Sequence, residues 1–306
     1  MEEIYCFAGN PLDRVSERRR DKAWVTLLLA DPQSRILPLY DLKPAIPDML
    51  RPALDWQVIA PWRAAIDGGA TLIFLGIGDG RAHFAIDAAG AAAPLDAENI
   101  DVRTLAPQIP AGEAAILAEA RSLIDWHARH RFCAQCGAPT DVSGAGWDRR
   151  CPNCRAHHYP RSDPVTIMLV VHGERALLGR NKRRPGRRFS CLAGFMEPGE
   201  TPEEAVRREV REESGIRVGR VKYLAAQPWP FPSTLMMGFL AEGISEEITI
   251  DPEEIAEARW FEREEVRAMV ERSRSDEQIP GVTTLPPPLA IGHQLARRWA
   301  FGIDSI

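Results

Sequence analysis

GFMEPGETPEEAVRREVREESGI, residues 194–216, is the stretch on which the reading of this chain turns. Thr201 is a good N-cap, Pro202 suits the first helical position, and Glu204 completes a T-x-x-E capping box. Gly215 is a natural stop. The spacing predicts a helix of about thirteen residues, ~20 Å long. Glu209 and Glu213 are four apart and share one face, with Glu212 beside them. Val206 and Val210 form a neighbouring apolar stripe that can anchor the helix on a sheet. The segment holds seven glutamates and three arginines. Like charges on one face repel unless something neutralises them, and hard divalent cations with oxygen ligands would do so. A solvated acidic face is the other reading, and helix physics alone leaves both open.

Around this segment lies a chain of 306 residues, a length that fits about two domains on a prior of ~100–200 residues each. Hydrophobic residues make up 45% and charged residues 26%, which excludes wholesale disorder and collagen-like structure. The formal charge of −5 argues against nucleic-acid binding through an overall basic surface and leaves a local basic patch open. Tyr223 to Ala241 carries no formal charge, but Pro228, Pro230 and Pro232 would break a membrane helix there, so no membrane partner is expected. The first twenty residues hold no apolar signal core. With four of the six cysteines inside Cys133–Cys154 and the others alone at Cys6 and Cys191, a secreted disulfide scaffold is not the reading. A reducing, cytoplasmic location is expected.

Up to about residue 125, WVTLLL (24–29) and TLIFLGIG (71–78) read as strands, separated by Pro-containing stretches such as LKPAIPDMLRP. Gly76, Gly78 and Gly80 lack the G-x-G-x-x-G spacing, so GIGDGR reads as a turn between strands. The Ala-rich stretch 88–93 reads as a loop or linker. A helix is expected over 112–130, with Ile116, Ala120, Leu123 and Ile124 on one face. Further on, strands are expected at 165–171, 221–225, 234–241 and 257–261, helices at 202–214 and after Pro286–Pro288, and a solvated loop at 273–278. The basic run RNKRRPGRR (180–188) is either a solvated loop or a patch that steers a polyanion.

Cys133-x2-Cys136 and Cys151-x2-Cys154 place two thiolates on each of two tight turns, and two such turns close a tetrahedron around zinc. Gly137 lets the first turn curl, and Pro152 serves the second. Sulfur at all four positions leaves no open site for water, so the ion is structural. A redox dithiol and four unpaired thiols are the alternatives. A complete quartet makes His127, His130, His157 and His158 spare. Trp147, Arg149 and Arg150 between the pairs permit nucleic-acid binding without requiring it.

The acidic helix belongs to a pattern. Gly194, Glu200, Arg208, Glu209, Val210, Glu212, Glu213, Gly215 and Ile216 stand where the Nudix box has its defined positions, and the 23 residues resemble that box throughout. The resemblance implies an α/β/α sandwich for residues 161–306. It also implies hydrolysis of a nucleoside diphosphate linked to another group, with Mg²⁺ or Mn²⁺ held by glutamates. Carried over, Glu209 and Glu213 are metal ligands, Glu212 lies close to them, and all three are catalytic candidates. Glu200 and Arg208 would orient loop and helix. Gly194 would make the tight turn that brings the Ala193 carbonyl to a metal. Clustered cations suit a pyrophosphate, whose charge repels a nucleophile.

Downstream, QPWPFPS (227–233) has alternating prolines that hold Trp229 and Phe231 in fixed directions. On its own this is either a stacking surface for planar bases or a proline-rich connector with core aromatics. It resembles the array that marks the NAD(H) pyrophosphatase branch of the Nudix family, which also carries a four-cysteine zinc ribbon before the Nudix fold. Ala226 departs from that array, and Ser233 follows Pro232 one residue early. The resemblance implies substrate-binding roles for Gln227, Trp229, Phe231 and Ser233, with Tyr159 and Phe195 flanking a base. It aligns Glu254 in Asp251-Pro252-Glu253-Glu254 as a third metal carboxylate, and a helix-start glutamate is the alternative there. Gly292 stands where a small residue is expected.

The expected organisation is α/β throughout: a mixed α/β N-terminal domain (1–125), a zinc ribbon (126–160) and the Nudix domain (161–306). The implied activity is NAD(H) diphosphatase. A second reading makes NAD-capped RNA the main substrate, with the ribbon and the 180–188 run holding RNA. A third is a non-catalytic binding protein for dinucleotides or nucleic acid. The resemblance also implies a homodimer, with Phe195 at its interface.

Overall fold

The computed structural model describes residues 5–91, 97–183, 186–274 and 281–306. Residues 92–93 of the Ala-rich stretch, Arg184 and Pro185 of the basic run, and 275–278 of the expected solvated loop lie outside them. The chain forms two units, residues 1–162 with 228–233, and residues 163–227 with 234–306.

In the first unit, Leu72–Gly78, Arg81–Asp87, Arg35–Tyr40, Lys43–Ile46 and Glu98–Asn99 are successive neighbours in a sheet, and Gln57–Val58 pairs with Arg35–Tyr40. GIGDGR is a turn between strands, as expected. Asp79 and Gly80 at its tip have φ of 51° and 73°, the left-handed pair that matches strand twist in a two-residue hairpin. The long helix Ala111–Arg129 buries Ile116, Ala120, Leu123 and Ile124, the expected face.

Two expectations are corrected in this unit. WVTLLL is not a strand but lies in the helix Lys22–Ala30. The Asp21 carboxylate accepts from the Trp24 N–H and caps it. Trp24, Val25, Leu28 and Leu29 then fall on one side and pack against the sheet cluster of Ile36 and Phe74. A run of apolar and β-branched residues hid that period. LKPAIPDMLRP is not all connector either, since Lys43–Ile46 pairs antiparallel with Arg35–Tyr40.

The ribbon is a small three-stranded sheet, Asp141–Ser143, Asp148–Arg150 and His157–His158. It is secured by buried polar groups. His127 on the long helix bonds the Gly146 carbonyl at 2.8 Å and Arg149 at 3.1 Å, and Arg149 donates to the Thr140 hydroxyl and carbonyl. Burial holds the His127 imidazole down at about 4, so it sits there neutral.

The second unit is a mixed sheet of Val218–Trp229, Thr234–Gly243, Asp163–His172, Arg175–Asn181 and Ile255–Glu262, with Leu192–Phe195 pairing Asp163–His172. The apolar run 223–241 supplies two strands, and among the described residues no helix is long and apolar enough to cross a membrane. Along Asp163–His172 the side chains alternate between faces. Met168 and Val170 pack with Val206 and Val210 of the helix Pro202–Ser214. Ile167, on the other face, meets Gly292 at the start of the helix Ile291–Ala300. Helices thus cover both faces of the sheet, the layered arrangement expected. Fully burying each valine contributes roughly 1.5–3 kcal/mol, which fixes the acidic helix with its glutamates over the strand Leu192–Phe195.

Candidate functional site

The helix Pro202–Ser214 begins and ends where its sequence dictates. The Glu204 N–H donates to Thr201 Oγ1 at 3.3 Å, and the Thr201 N–H donates to Glu204 Oε2 at 2.7 Å. Gly215 closes the helix with φ 72°, a left-handed turn that a side chain disfavours. With both ends pinned, Glu209 and Glu213 are buried and Glu212 remains exposed.

Gly194 explains how Glu209 fits. It lies within the strand Leu192–Phe195, opposite Thr166, and not in a tight turn as expected. A Cβ at Gly194 would stand 1.9–2.1 Å from the Glu209 carboxylate. What glycine supplies is room. Arg208 organises the other side. Its guanidinium bonds Glu200 at 2.5 and 2.8 Å, Glu209 at 2.7 Å, Glu212 at 3.0 Å and the Phe195 carbonyl at 2.9 Å. That contact holds the Glu200 carboxyl down at about 2.

Among the described residues Glu213 has no such counter-ion. Its Oε2 is buried and without a hydrogen-bond partner. Burial, then the charges of Glu209 and Glu254, push its carboxyl up to about 8, partly offset by the Ala193 backbone N–H. Burial likewise raises Glu209, against Arg208. Glu254 is exposed in the turn before Ile255–Glu262, and its carbonyl accepts from the Lys182 N–H at 2.9 Å. Among the described residues Arg208 is the cation bonded to Glu200, Glu209 and Glu212, and a buried oxygen of Glu213 is left over. A hard divalent cation fits this donor set, because it would supply the missing charge and accept the orphaned oxygen.

The four cysteines meet in the first unit. Their Sγ atoms all lie within 4.8 Å of one another. Cys133–Cys154 and Cys136–Cys151 are each 3.5 Å apart, close to the ~3.8 Å edge of a tetrahedron with 2.3 Å zinc–sulfur bonds. The two turns repeat one another. In each, the first cysteine's carbonyl accepts from the residue after the second, from Gly137 in one and Arg155 in the other. Those residues have φ of 75° and 64°. Arg155, and not Pro152, plays the part of Gly137. Nor is His158 spare, since its Nε2 lies 3.2 Å from Cys133 Sγ, where it can orient a metal-bound sulfur.

The remaining sequence candidates divide between the units. Gln227 is buried in the second, where its amide donates to the Leu289 carbonyl and accepts from the Ile291 N–H. Both ends of that side chain are engaged by backbone at the start of the helix Ile291–Ala300. A Cβ on Gly292 in that helix would meet Ile167 at 3.1 Å and Ser190 at 3.2 Å. Phe195 is exposed. In the first unit, Tyr159 is exposed and stacks with His157. Trp229 and Phe231 are half-buried and meet edge-to-face at 5.3 Å. Ser233 Oγ donates to the Arg161 carbonyl at 2.7 Å. Sequence reasoning missed what surrounds this strip: Phe7 contacts both rings, and Arg103 and Arg121 lie against Phe231. About a hundred residues or more separate these groups from the strip, and no local pattern announced them.

Comparison with known proteins agrees with this layout. Family models match residues 161–280 as a NUDIX domain, 128–159 as an NADH pyrophosphatase zinc ribbon domain, and 33–126 as an NADH pyrophosphatase-like rudimentary NUDIX domain. The chain is 38% identical over 341 residues to the NAD-capped RNA hydrolase of Homo sapiens, covering 96% of this chain and 72% of the relative. It is 41% identical over 234 residues to an NAD-capped RNA hydrolase of Mycobacterium bovis, covering 74% and 75%. A chloroplastic Nudix hydrolase of Arabidopsis thaliana is 35% identical over 322 residues, covering 87% and 72%.

Proposed function

The chain belongs to the Nudix hydrolase family, in the branch with the NADH pyrophosphatase zinc ribbon, and on that premise we propose that it hydrolyses the pyrophosphate of NAD(H) to NMN(H) and AMP. The observation that carries this reading is the buried carboxylate pair, Glu209 in the space left by Gly194 and Glu213 with an orphaned oxygen. Glu209, Glu213 and Glu254, with the Ala193 carbonyl, would hold Mg²⁺ or Mn²⁺. When bound, such ions offset the charge of the pyrophosphate, acidify the attacking water and stabilise the leaving phosphate.

The chain's own groups do the positioning. Arg208 ties Glu209 and Glu212 to the Phe195 carbonyl, so the acidic face and the strand beneath it hold one geometry. Glu212 is exposed within the same cluster, available to a proton on an incoming water. We assign substrate binding to Trp229, Phe231, Tyr159 and Ser233 in the first unit and to Phe195 and Gly292 in the second. Gln227 ties its strand to the start of the helix Ile291–Ala300 through both ends of its amide. Zinc holds the ribbon (126–160), between the parts 1–125 and 161–306. The protein acts as a homodimer in the cytoplasm, with exposed Phe195 at the interface.

The names of the relatives favour a second reading, in which the same bond is cut in NAD-capped RNA. The lysine and arginines of 180–188 would then hold the RNA chain. Zinc-loaded protein incubated with NADH and Mn²⁺, and in parallel with NAD-capped RNA, tests both readings. Release of NMNH and AMP from NADH is expected, and its absence would overturn the first reading. A kcat/KM on capped RNA that exceeds the one on NADH and falls with salt would establish the second.

A further inference from the structure

The strip Pro228–Ser233 runs from the end of the strand Val218–Trp229 to the strand Thr234–Gly243, yet it groups with the first unit and not with the second. We infer that the N-terminal unit holds this strip in its recognition conformation, through Arg121, Arg103 and Phe7 as positioning residues. The inference rests on the strip's proposed role in binding the bases.

The strand Val218–Trp229 ends at the second residue of the strip, and three prolines in six residues leave the rest few N–H donors for a ladder. Its carbonyls are the remaining handles. Arg121 and Ser122, adjacent on the helix Ala111–Arg129, take two of them. The Arg121 guanidinium donates to the Pro230 carbonyl, and Ser122 Oγ donates to the Pro232 carbonyl at 3.4 Å. The same guanidinium lies 4.6 Å from the centre of the Phe231 ring, and that of Arg103 lies 4.1 Å away. A guanidinium over an aromatic face attracts it electrostatically and fixes its plane.

Phe7 supplies the third restraint. It is 2% exposed, and its ring meets Trp229 at 5.9 Å and Phe231 at 6.0 Å, both edge-on. Its φ is 69°, a left-handed backbone that a bulky residue rarely adopts. Such a conformation persists only where the surroundings over-determine it. Here the two rings of the strip are part of those surroundings, beside the turn closed by the Ala8 N–H on the Tyr5 carbonyl. The N-terminal unit thereby gains a role in substrate selection: it sets the angle of Trp229 and Phe231 toward a planar base.

The test compares Arg121→Met, Arg121→Lys, Arg103→Met and Phe7→Leu in full-length, zinc-loaded protein. Amide exchange is followed by mass spectrometry on peptides spanning 228–233, with 165–171 as an internal control. The inference expects the strip to exchange about tenfold faster in Arg121→Met while the control strand is unchanged, with Arg121→Lys restoring part of the protection. KM for NADH should rise about tenfold with kcat within twofold of wild type. Unchanged exchange in the strip for both Arg121→Met and Arg103→Met overturns the inference, whether or not Phe7→Leu folds. Should the wild type not hydrolyse NADH, the functional reading falls while the exchange measurement still decides who holds the strip.

Discussion

The cysteine quartet and the glutamate cluster each gather metal-binding groups from short stretches of chain, and they are built to opposite ends. Among the described residues, only the quartet brings three or more ligand atoms within 4.8 Å of one another. Its backbone turns are paired and its sulfurs form a closed set. The glutamates keep an arginine among them and leave one buried oxygen unpartnered. A closed set of soft ligands suits an ion that never exchanges, and an open set of hard ones suits ions that come with substrate. The two sites should therefore fail differently, one in stability and one in turnover.

The largest effect is expected at the open site. Glu213→Gln should lower kcat on NADH roughly a thousandfold or more, with Tm held or slightly raised because a buried carboxyl is lost. A comparable fall in Tm would erase the contrast. At the closed site the order reverses. Cys133→Ser, or zinc removal under reducing conditions, should lower Tm by roughly 10 °C, with activity lost only as the fold is lost.

A control sharpens the comparison. Glu119 on the helix Ala111–Arg129 is also buried with an unpartnered oxygen, but its other oxygen meets Asn10 and Arg14. Burial pushes its carboxyl up to about 7, against the pull of Arg14 and Arg19. In the folded state it keeps a proton that the unfolded chain has released, so stability is present below pH ~4.5 and lost as pH rises toward 7. Glu119→Gln should remove about 2–3 kcal/mol of that pH dependence, read by denaturant titration at pH 5 and pH 8. Its response to Mn²⁺ should stay that of wild type. If Glu119→Gln abolishes the Mn²⁺ response, the metal response is not confined to the glutamate cluster and the contrast fails. The smallest effect is at Arg155. Arg155→Gly should stabilise the zinc-loaded protein by about 1 kcal/mol, since glycine adopts its left-handed φ without strain. Destabilisation would mean that the two turns are not equivalent.

What could be read from the chain alone was local. Thr201, Glu204 and Gly215 fix a helix within fifteen residues of one another, and the glutamates follow from its period. Two C-x2-C pairs carry their own geometry. Where reading failed, the deciding contact was distant or masked. The run 24–29 was ambiguous because every position is apolar or β-branched, and only the Asp21 cap and the sheet beneath it select helix. The space at Gly194 was visible only once Glu209 was brought over it. The strip showed its stiffness in Pro228, Pro230 and Pro232, but not which unit holds it, because Arg103, Arg121 and Phe7 lie far away in sequence.

The central claim is that Glu209 and Glu213 are buried together to take up a divalent cation. Titration calorimetry of Mn²⁺ into zinc-loaded protein tests it most directly. The account predicts saturable uptake by the wild type, weakened at least about tenfold in Glu209→Gln and Glu213→Gln. No uptake by the wild type, or equal uptake by all three proteins, would contradict it.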